Sequence, residues 1–219
     1  MFPGPRADLT GVVLCGGRSL RMGSDKAVLR VSGSTLLERA VADLESIAAE
    51  TLLACGPSAR YAELGRPLVT DRHADGGPLA GIEAALARAR TEWLAVLACD
   101  MPRADPRVLL AVLERAEKED LDGCFLETAN GVEPLCAVYR RTCLASMSTA
   151  LASGERKITS FLRFAKASGE LPRVGRLPES ELPAELAGRD VARNLNTPED
   201  LITEIAGPSR LPSRIGGLP

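Results

Sequence analysis

The stretch VVLCGGRSLRMGSDK, residues 12–26, decides the fold, because an apolar run changes there directly into a glycine-rich basic loop. Two adjacent glycines after a buried strand let the backbone come close to a ligand and point its N–H groups at it. Basic side chains add the charge that phosphate oxygens need. A tight strand-to-helix turn is the alternative, but such a turn does not require three cations. The residues expected in this phosphate-binding loop are Gly16, Gly17, Arg18, Arg21, Gly23 and Lys26.

Two well-known phosphate loops do not match this stretch. A Walker A loop requires G-x-x-x-x-G-K-[ST], whereas five residues separate the second and third glycines here and Ser-Asp-Lys follows. A dinucleotide fingerprint requires G-x-G-x-x-G, which CGGRSLRMG does not supply. The expected phosphate-binding loop is therefore neither a Walker A loop nor a dinucleotide-binding loop.

Short β-rich runs alternate with longer helical patterns along the chain, which is typical of βαβ units. The segments 35–50, 78–90 and 105–119 carry apolar residues at the spacing of one helix face. Asn130-Gly131 is a hairpin signal between two strand-like runs. We predict a three-layer α/β/α sandwich, Rossmann-like, whose mixed sheet is mostly parallel with an antiparallel element. The predicted strands are 11–14, 51–55, 67–70, 93–98, 123–127 and 134–139.

Length and composition indicate one domain. The chain has 219 residues, 45% of them hydrophobic, and a formal net charge of −2, which excludes a polycationic surface for nucleic acid. No signal pattern or run of about 20 apolar residues is present, so we expect a cytoplasmic protein without a membrane segment. Thr197 and Pro198 begin a last helix, with Asp200 able to reach back to its N-cap. We expect one domain over 1–205 and a disordered tail over 206–219.

The six cysteines and the single histidine do not form a recognised metal or redox motif. No C-x-x-C pair occurs, and His73 completes no zinc-ligand spacing. We interpret the cysteines as small buried core residues and His73 as a polar loop residue.

Two aspartates follow predicted strands. Asp71 ends LVTD and Asp100 ends WLAVLACD, and the carboxyl ends of strands in an open α/β sheet line the ligand crevice. Asp100 is suited to holding Mg²⁺ against phosphates, because that ion uses one or two carboxylates. Helix capping is the alternative for Asp100, and loop capping for Asp71. The glycine-rich loop GGPLAG, with Gly77 and Gly81, opens a helix whose N-terminus is expected to face the ligand.

The chain resembles the nucleotidyltransferases of the NDP-sugar transferase superfamily, and most closely the molybdenum cofactor guanylyltransferase (MobA) family. The matching motifs are GVVLCGGRSLRMGSDK, GGPLAGIEAAL, LACDMP, SGERK and NLNTPEDL, in that order. The resemblance implies transfer of GMP from GTP to the terminal phosphate of molybdopterin, with release of pyrophosphate. It also implies nucleotide contacts from Leu14, Cys15, Gly16, Lys26, Asp71 and Asp100, with Asp100 also on Mg²⁺.

The chain departs from the family pattern at two positions. Cys15 stands where alanine is common, and the asparagine expected after the second strand has no counterpart, since Ala54 or Cys55 stands there.

The expected chemistry is positioning and charge neutralisation, because negative charge in nucleotidyl transfer is spread over phosphate oxygens. Lys26 and Arg21 would stabilise the leaving pyrophosphate, and Asp71 would contact guanine or its ribose. The pterin and its phosphate would be held by Arg156 with Lys157, and by Asn194 and Asn196; an exposed basic pair and a helix cap are the alternatives for these residues.

Other functions stay open from the sequence. They are a cytidylyltransferase for the same pterin, a nucleotidyltransferase for another phosphorylated acceptor, and a nucleotide-binding regulator without catalysis. Molybdenum-insertion proteins and apo-molybdoenzymes are the expected protein partners.

Overall fold

The computed structural model describes residues 4–16, 25–31, 33–186, 188–195 and 197–206. The strands are β1 Arg6–Leu14, β2 Arg30–Val31, β3 Ser34–Thr35, β4 Ala48–Ala54, β5 Leu68–Val69, β6 Trp93–Ala98, β7 Gly123–Thr128, β8 Gly131–Arg140 and β9 Val174–Pro178. The α-helices are α1 Leu36–Glu45, α2 Gly77–Arg88, α3 Pro106–Lys118, α4 Leu144–Ala152 and α5 Pro198–Ala206.

Seven strands form one sheet in the order β5-β4-β1-β6-β8-β7-β9, and β2 and β3 pair separately. β5, β4, β1 and β6 run parallel. β8 is antiparallel to both of its neighbours, while β9 pairs parallel with β7. The chain moves outward from β1 to β5 and then crosses to β6, so the carboxyl ends of β1 and β6 lie side by side at the switch point. Open α/β sheets bind their ligands at such a point.

Two apolar layers cover the sheet, one on each face. The face toward α1 and α3 includes Val13 and Leu97, and the face toward α2 and α4 includes Val12 and Val96. Consecutive strand residues thus enter opposite layers, as the two-residue period of a strand requires. Both layers are apolar because helices bury both faces of the sheet, and the predicted three-layer sandwich is confirmed.

The six predicted strands are all present. They differ from the prediction in length, and the main sheet has one further strand. β1, β4 and β8 extend beyond the predicted runs, whereas 67–70 contains only the two-residue strand β5. The edge strand β9 was not predicted. Its sequence VGRLP has a glycine and a proline in five residues, so it lacks an apolar alternation, and its pairing with β7 is what makes it a strand.

The hairpin predicted at Asn130-Gly131 is confirmed, with Gly131 at a φ of 111°. The last helix also begins as predicted: the Asp200 carboxylate accepts the Thr197 N–H at 2.9 Å, and the Thr197 hydroxyl accepts the Asp200 N–H at 3.1 Å. The tail expected beyond it lies outside the described residues.

β8 carries a bulge where it passes the carboxyl end of the sheet. Phe125 pairs with Ala137 and the next residue, Leu126, pairs with Glu133, so residues 134–136 are additional on β8. The buried Tyr139 hydroxyl donates to the Pro134 carbonyl at 2.8 Å, which satisfies one polar group of the bulge. Bulges of this kind re-aim strand residues beside functional sites.

At the opposite end of the sheet, Asp122 is the centre of a buried polar network. Its carboxylate accepts hydrogen bonds from the Lys166 ammonium at 2.8 Å, the Thr142 hydroxyl at 2.6 Å and the Arg173 N–H at 2.9 Å. Burial by itself raises the pKa of Asp122, but these donors outweigh it and hold the pKa below its ordinary value. The network joins the amino end of β7 to the segment that leads into β9.

We predict that Asp122→Ala lowers the free energy of unfolding by about 3 kcal/mol, because it removes the buried carboxylate that three donors share and leaves the Lys166 ammonium only the exposed Glu170, at 3.7 Å. Since the folded-state pKa is depressed, this contribution is present at neutral pH and is lost as pH falls through the folded pKa. Denaturant unfolding at pH 7 and at acid pH measures both effects. Asp120→Asn is the matched control, because Asp120 forms exposed ion pairs at a φ of 48° that Asn also tolerates, and the substitution should cost at most about 1 kcal/mol. Equal losses in the two variants would contradict the prediction.

Candidate active site

A cavity of about 480 Å³ lies at the carboxyl ends of β1, β4, β5 and β6. Its wall is formed by strand ends, the loops that follow them and the N-terminus of α2. The lining residues in the described part of the chain are Leu14, Cys15, Gly16, Asp25, Lys26, Ala27, Ala54, Gly56, Pro57, Asp71, Asp75, Gly77, Pro78, Gly81, Ala98, Cys99, Asp100 and Leu135. The cavity is therefore where the topological switch point predicts a ligand site.

Lys26 and Asp100 form an ion pair in this cavity. The Lys26 ammonium lies 3.2 Å from Asp100 Oδ2 and donates to the Leu195 carbonyl at 2.5 Å. The two side chains are 17% and 23% exposed, so the pair is shielded but open to a ligand. The Leu195 N–H also donates to the Asp100 carbonyl at 2.9 Å, which fixes the segment before α5 against the end of β6.

Close backbone contact between two strand ends shapes the floor of the cavity. A Cβ atom on Gly16 would lie 2.3 Å from the Gly56 nitrogen, a distance that real Cβ atoms do not reach. Only glycine therefore fits at position 16, and the reason is contact with the neighbouring strand end. This approach packs Gly16, after β1, against Gly56, after β4.

The N-terminus of α2 opens onto the cavity through Gly77, Pro78 and Gly81. Gly76 at the N-cap supplies no side-chain hydrogen bond, so the first N–H groups of this 12-residue helix are available to an anion. Gly77 has a φ of 60°, a conformation that glycine adopts without strain. Phosphate or carboxylate oxygens are the chemical groups that this end of the helix favours.

Asp71 stands after β5 with its carboxylate on the same wall. A Cβ atom on Gly81 would lie 3.9 Å from its Oδ1, which places the carboxylate beside α2. Within the described part of the chain, no hydrogen bond to this carboxylate is present, and burial raises its pKa. A partly desolvated carboxylate of this kind is suited to accepting N–H or O–H donors from a ligand.

The comparisons with known proteins agree with this geometry. Residues 11–171 match the family model described as MobA-like NTP transferase domain. The chain belongs to this family. It is 36% identical to a probable molybdenum cofactor guanylyltransferase of Pelotomaculum thermopropionicum, over 88% of this chain and 90% of that protein. It is 33% identical to the molybdenum cofactor guanylyltransferase of Pseudomonas syringae pv. tomato, over 85% of this chain and 88% of that protein.

A solved structure gives the same result for the fold. Molybdopterin-guanine dinucleotide biosynthesis protein A from Archaeoglobus fulgidus superposes with a TM-score of 0.73 at 27% identity, covering 88% of this chain and 95% of that chain. The resemblance stated from the motifs is thus confirmed, and this MobA-like protein is a nucleotidyltransferase.

The structure of this MobA-like protein brings most of the predicted site residues together. Leu14, Cys15, Gly16, Lys26, Asp71, Gly77, Gly81 and Asp100 all line the cavity. In the described chain, no hydrogen bond supports the alternative role of Asp71 or Asp100 as a cap. The residue that caps α3 is Asp105. Gly17, Arg21, Gly23 and Asn196, with Arg18, lie outside the described residues.

Arg156 and Asn194 lie beside the cavity and are not among its lining residues in the described chain. Asn194 precedes Leu195 and hydrogen-bonds Glu133 on β8, whose pKa is raised by burial. The exposed Arg156 donates to the Glu155 carbonyl at 2.9 Å, and its own carbonyl lies near Gly77.

All six cysteines are free, and five of them are buried. Cys15 and Cys99 nevertheless belong to the cavity wall. These two cysteines therefore line the candidate site in addition to packing against the core. Cys15 donates to Cys55, with 4.0 Å between the two sulfurs. The described residues contain no group of three or more His, Cys, Asp or Glu that could hold a metal ion.

Asp25, Asp75 and Leu135 also line the cavity, and the sequence did not predict them. In the pair Asp25-Lys26, only the lysine carries the charge that a phosphate-binding loop requires. Asp75 has a φ of 52°, which is unusual for a non-glycine residue and has no signal in the sequence. Leu135 reaches the cavity because it lies in the β8 bulge, which the hairpin signal alone does not predict.

Proposed function

We propose that the protein transfers GMP from GTP to the terminal phosphate of molybdopterin and releases pyrophosphate, forming the molybdopterin guanine dinucleotide cofactor. The observation that carries this proposal is the meeting of Lys26, Asp100 and the α2 N-terminus in one cavity. Two relatives that match this chain over most of their length carry the name molybdenum cofactor guanylyltransferase. The proposed reaction needs groups that bind a triphosphate, and these residues supply them.

In this proposal the protein acts mainly by holding charged groups in place. The N–H groups at Gly16 and at the start of α2 would bind phosphate oxygens, and the Lys26 ammonium would stabilise charge on the leaving pyrophosphate. Arg21 is proposed to share this role. The acceptor phosphate is ionised at neutral pH, so the reaction requires no strong general base.

Asp100 is the residue proposed to hold Mg²⁺. Its carboxylate is 23% exposed within the cavity, and magnesium is bound in nucleotide sites by one or two carboxylates together with substrate phosphates. A set of three protein ligands is therefore not required for a fit. When bound, the ion would neutralise part of the negative charge of the phosphate groups.

Asp71 is proposed to select the base or hold the ribose. Guanine presents neighbouring N1–H and N2–H donors, which one carboxylate accepts together, and cytosine has no such pair. The Leu14 and Cys15 backbone lies on the same cavity wall and would complete this contact. Arg156 and Lys157, together with Asn194 and Asn196, are proposed to bind the pterin and its phosphate.

The proposed setting of the reaction is the cytoplasm, with molybdenum-insertion proteins and apo-molybdoenzymes as partners of the product. Among the described residues, no helix is long and apolar enough to cross a membrane.

The proposed function is tested by measuring pyrophosphate release from GTP, CTP, UTP and ATP, each with molybdopterin. We expect release with GTP to exceed release with the other three nucleotides, and the pterin product to carry GMP by mass spectrometry. A preference for CTP would instead indicate a cytidylyltransferase. Nucleotide binding without pyrophosphate release would indicate a regulator.

We predict that Asp71→Asn reduces kcat/KM for GTP by about tenfold or more, since it removes a charged acceptor from two donors. If the contact is to the base, the preference for GTP over ITP also falls, because ITP lacks the N2 amine. Competition between GTP and ITP measures this ratio directly. Asp75→Asn is the matched control, because it removes the same charge from the same cavity wall. An unchanged ratio in Asp71→Asn would assign Asp71 to the ribose, and an unchanged kcat/KM would remove it from the nucleotide site.

A further inference from the structure

The dipeptide Arg60-Tyr61, in the connection after β4, contacts both ends of the loop that follows β1. Arg60 Nη2 donates to the Cys15 carbonyl at 3.0 Å, and Arg60 Nη1 lies 3.3 Å from Asp25 Oδ2. The Tyr61 hydroxyl donates to the same Asp25 oxygen at 2.5 Å. Cys15 precedes the segment 17–24 and Asp25 follows it. The dipeptide therefore contacts the chain on both sides of that segment.

Asp25 transmits these contacts to Lys26. Its second oxygen, Oδ1, accepts the Ala27 N–H at 3.1 Å and caps the short 3₁₀ turn Lys26–Val28. The backbone of Lys26 is thereby fixed between a capped turn and the Asp25 carboxylate. The direction in which the Lys26 side chain leaves the backbone therefore depends on Asp25, and Asp25 depends on Arg60 and Tyr61.

Packing holds the side chains of the dipeptide in place. Tyr61 is 8% exposed, and the Arg60 guanidinium lies over its ring at 5.1 Å from the centroid. Burial and the neighbouring Asp25 carboxylate both raise the pKa of Tyr61, so its hydroxyl remains a donor at neutral pH. Tyr61 has a φ of 65°, a left-handed conformation that costs an aromatic residue free energy and is typical of functional regions.

We propose that Arg60 and Tyr61 are positioning residues that hold Cys15 and Asp25 in place and thereby aim Lys26 at the triphosphate. The proposal rests on the nucleotidyl transfer proposed above, and it adds two residues that are not among the cavity-lining residues of the described chain. It also assigns a role to the strained backbone at Tyr61. Arginine suits this role, because its planar fork reaches two acceptors at once, whereas a lysine ammonium does not match that geometry.

The first test uses Tyr61→Phe, which keeps the buried ring and removes only the hydroxyl. We expect kcat for GMP transfer to fall about ten- to hundredfold, as for other small misplacements of catalytic groups, while the KM for GTP changes less than threefold. In a Lys26→Ala background the same substitution should cost little more, because its effect passes through Lys26. Effects that multiply in the double variant would overturn the proposal.

Arg60→Met and Arg60→Lys supply a second pair of variants, at a side chain that is 36% exposed. Arg60→Met should behave as Tyr61→Phe does, and Arg60→Lys should recover only part of the lost rate. Arg66→Met is the matched control, since Arg66 lies in the same connection and bonds Glu45 and the Leu64 carbonyl. An equal loss of kcat in Arg66→Met would show a general effect of the connection and would contradict the proposal.

Hydrogen exchange separates this proposal from the proposed function. Peptides that cover residues 14–29 should exchange faster in Tyr61→Phe and in Arg60→Met than in the parent protein, while peptides from α3 should not change. If the parent protein transferred no GMP but these peptides exchanged faster, the proposed reaction would fail and the restraint of the loop would stand. Unchanged exchange in both variants would overturn the restraint whatever the activity.

Discussion

The ion pair between Lys26 and Asp100 is the interaction on which the arrangement of the site depends. It connects the end of the loop after β1 to the end of β6, and the Lys26 bond to the Leu195 carbonyl adds the segment before α5. These three parts of the chain are separated by more than 70 residues from one another. An ammonium and a carboxylate held together at the edge of a cavity are also the two groups that a triphosphate and its cation require.

The sheet makes this pair possible. β1 and β6 are neighbours with Leu14 opposite Ala98, so the residues that follow each strand emerge at one edge. The contact of Gly16 with Gly56 brings the next strand end equally close, and α2 directs its N-terminus into the same space. Strand order, with small residues at the closest approaches, then places the Lys26 ammonium, the N-terminus of α2 and the carboxylates of Asp25, Asp71, Asp75 and Asp100 around one cavity of the described chain. The proposed selection of the base by Asp71 and the proposed positioning by Arg60 and Tyr61 both depend on this cavity.

The sequence predicted those parts of the structure that local patterns determine. The two aspartates after strands and the capped start of α5 have recognisable signals, and the rule for carboxyl ends of parallel strands places Asp71 and Asp100 together. Contacts made through the backbone were not predictable. Lys26 bonds a carbonyl of Leu195, and Arg60 bonds a carbonyl of Cys15, and carbonyl groups have no signature in a sequence. β9 and the β8 bulge depend on pairing between distant segments, which local residue patterns do not contain.

The most direct test of the account is a crystal structure of the protein with Mg²⁺ and a GTP analogue whose α,β-bridging oxygen is replaced by a methylene group. The account predicts that the Lys26 ammonium leaves Asp100 Oδ2 and contacts a phosphate oxygen. It also predicts that an Asp100 oxygen lies about 2.1 Å from the cation, with the base at the wall formed by Asp71. A structure in which the nucleotide is bound while Lys26 and Asp100 remain paired, with the phosphates and the cation away from both, would contradict the account.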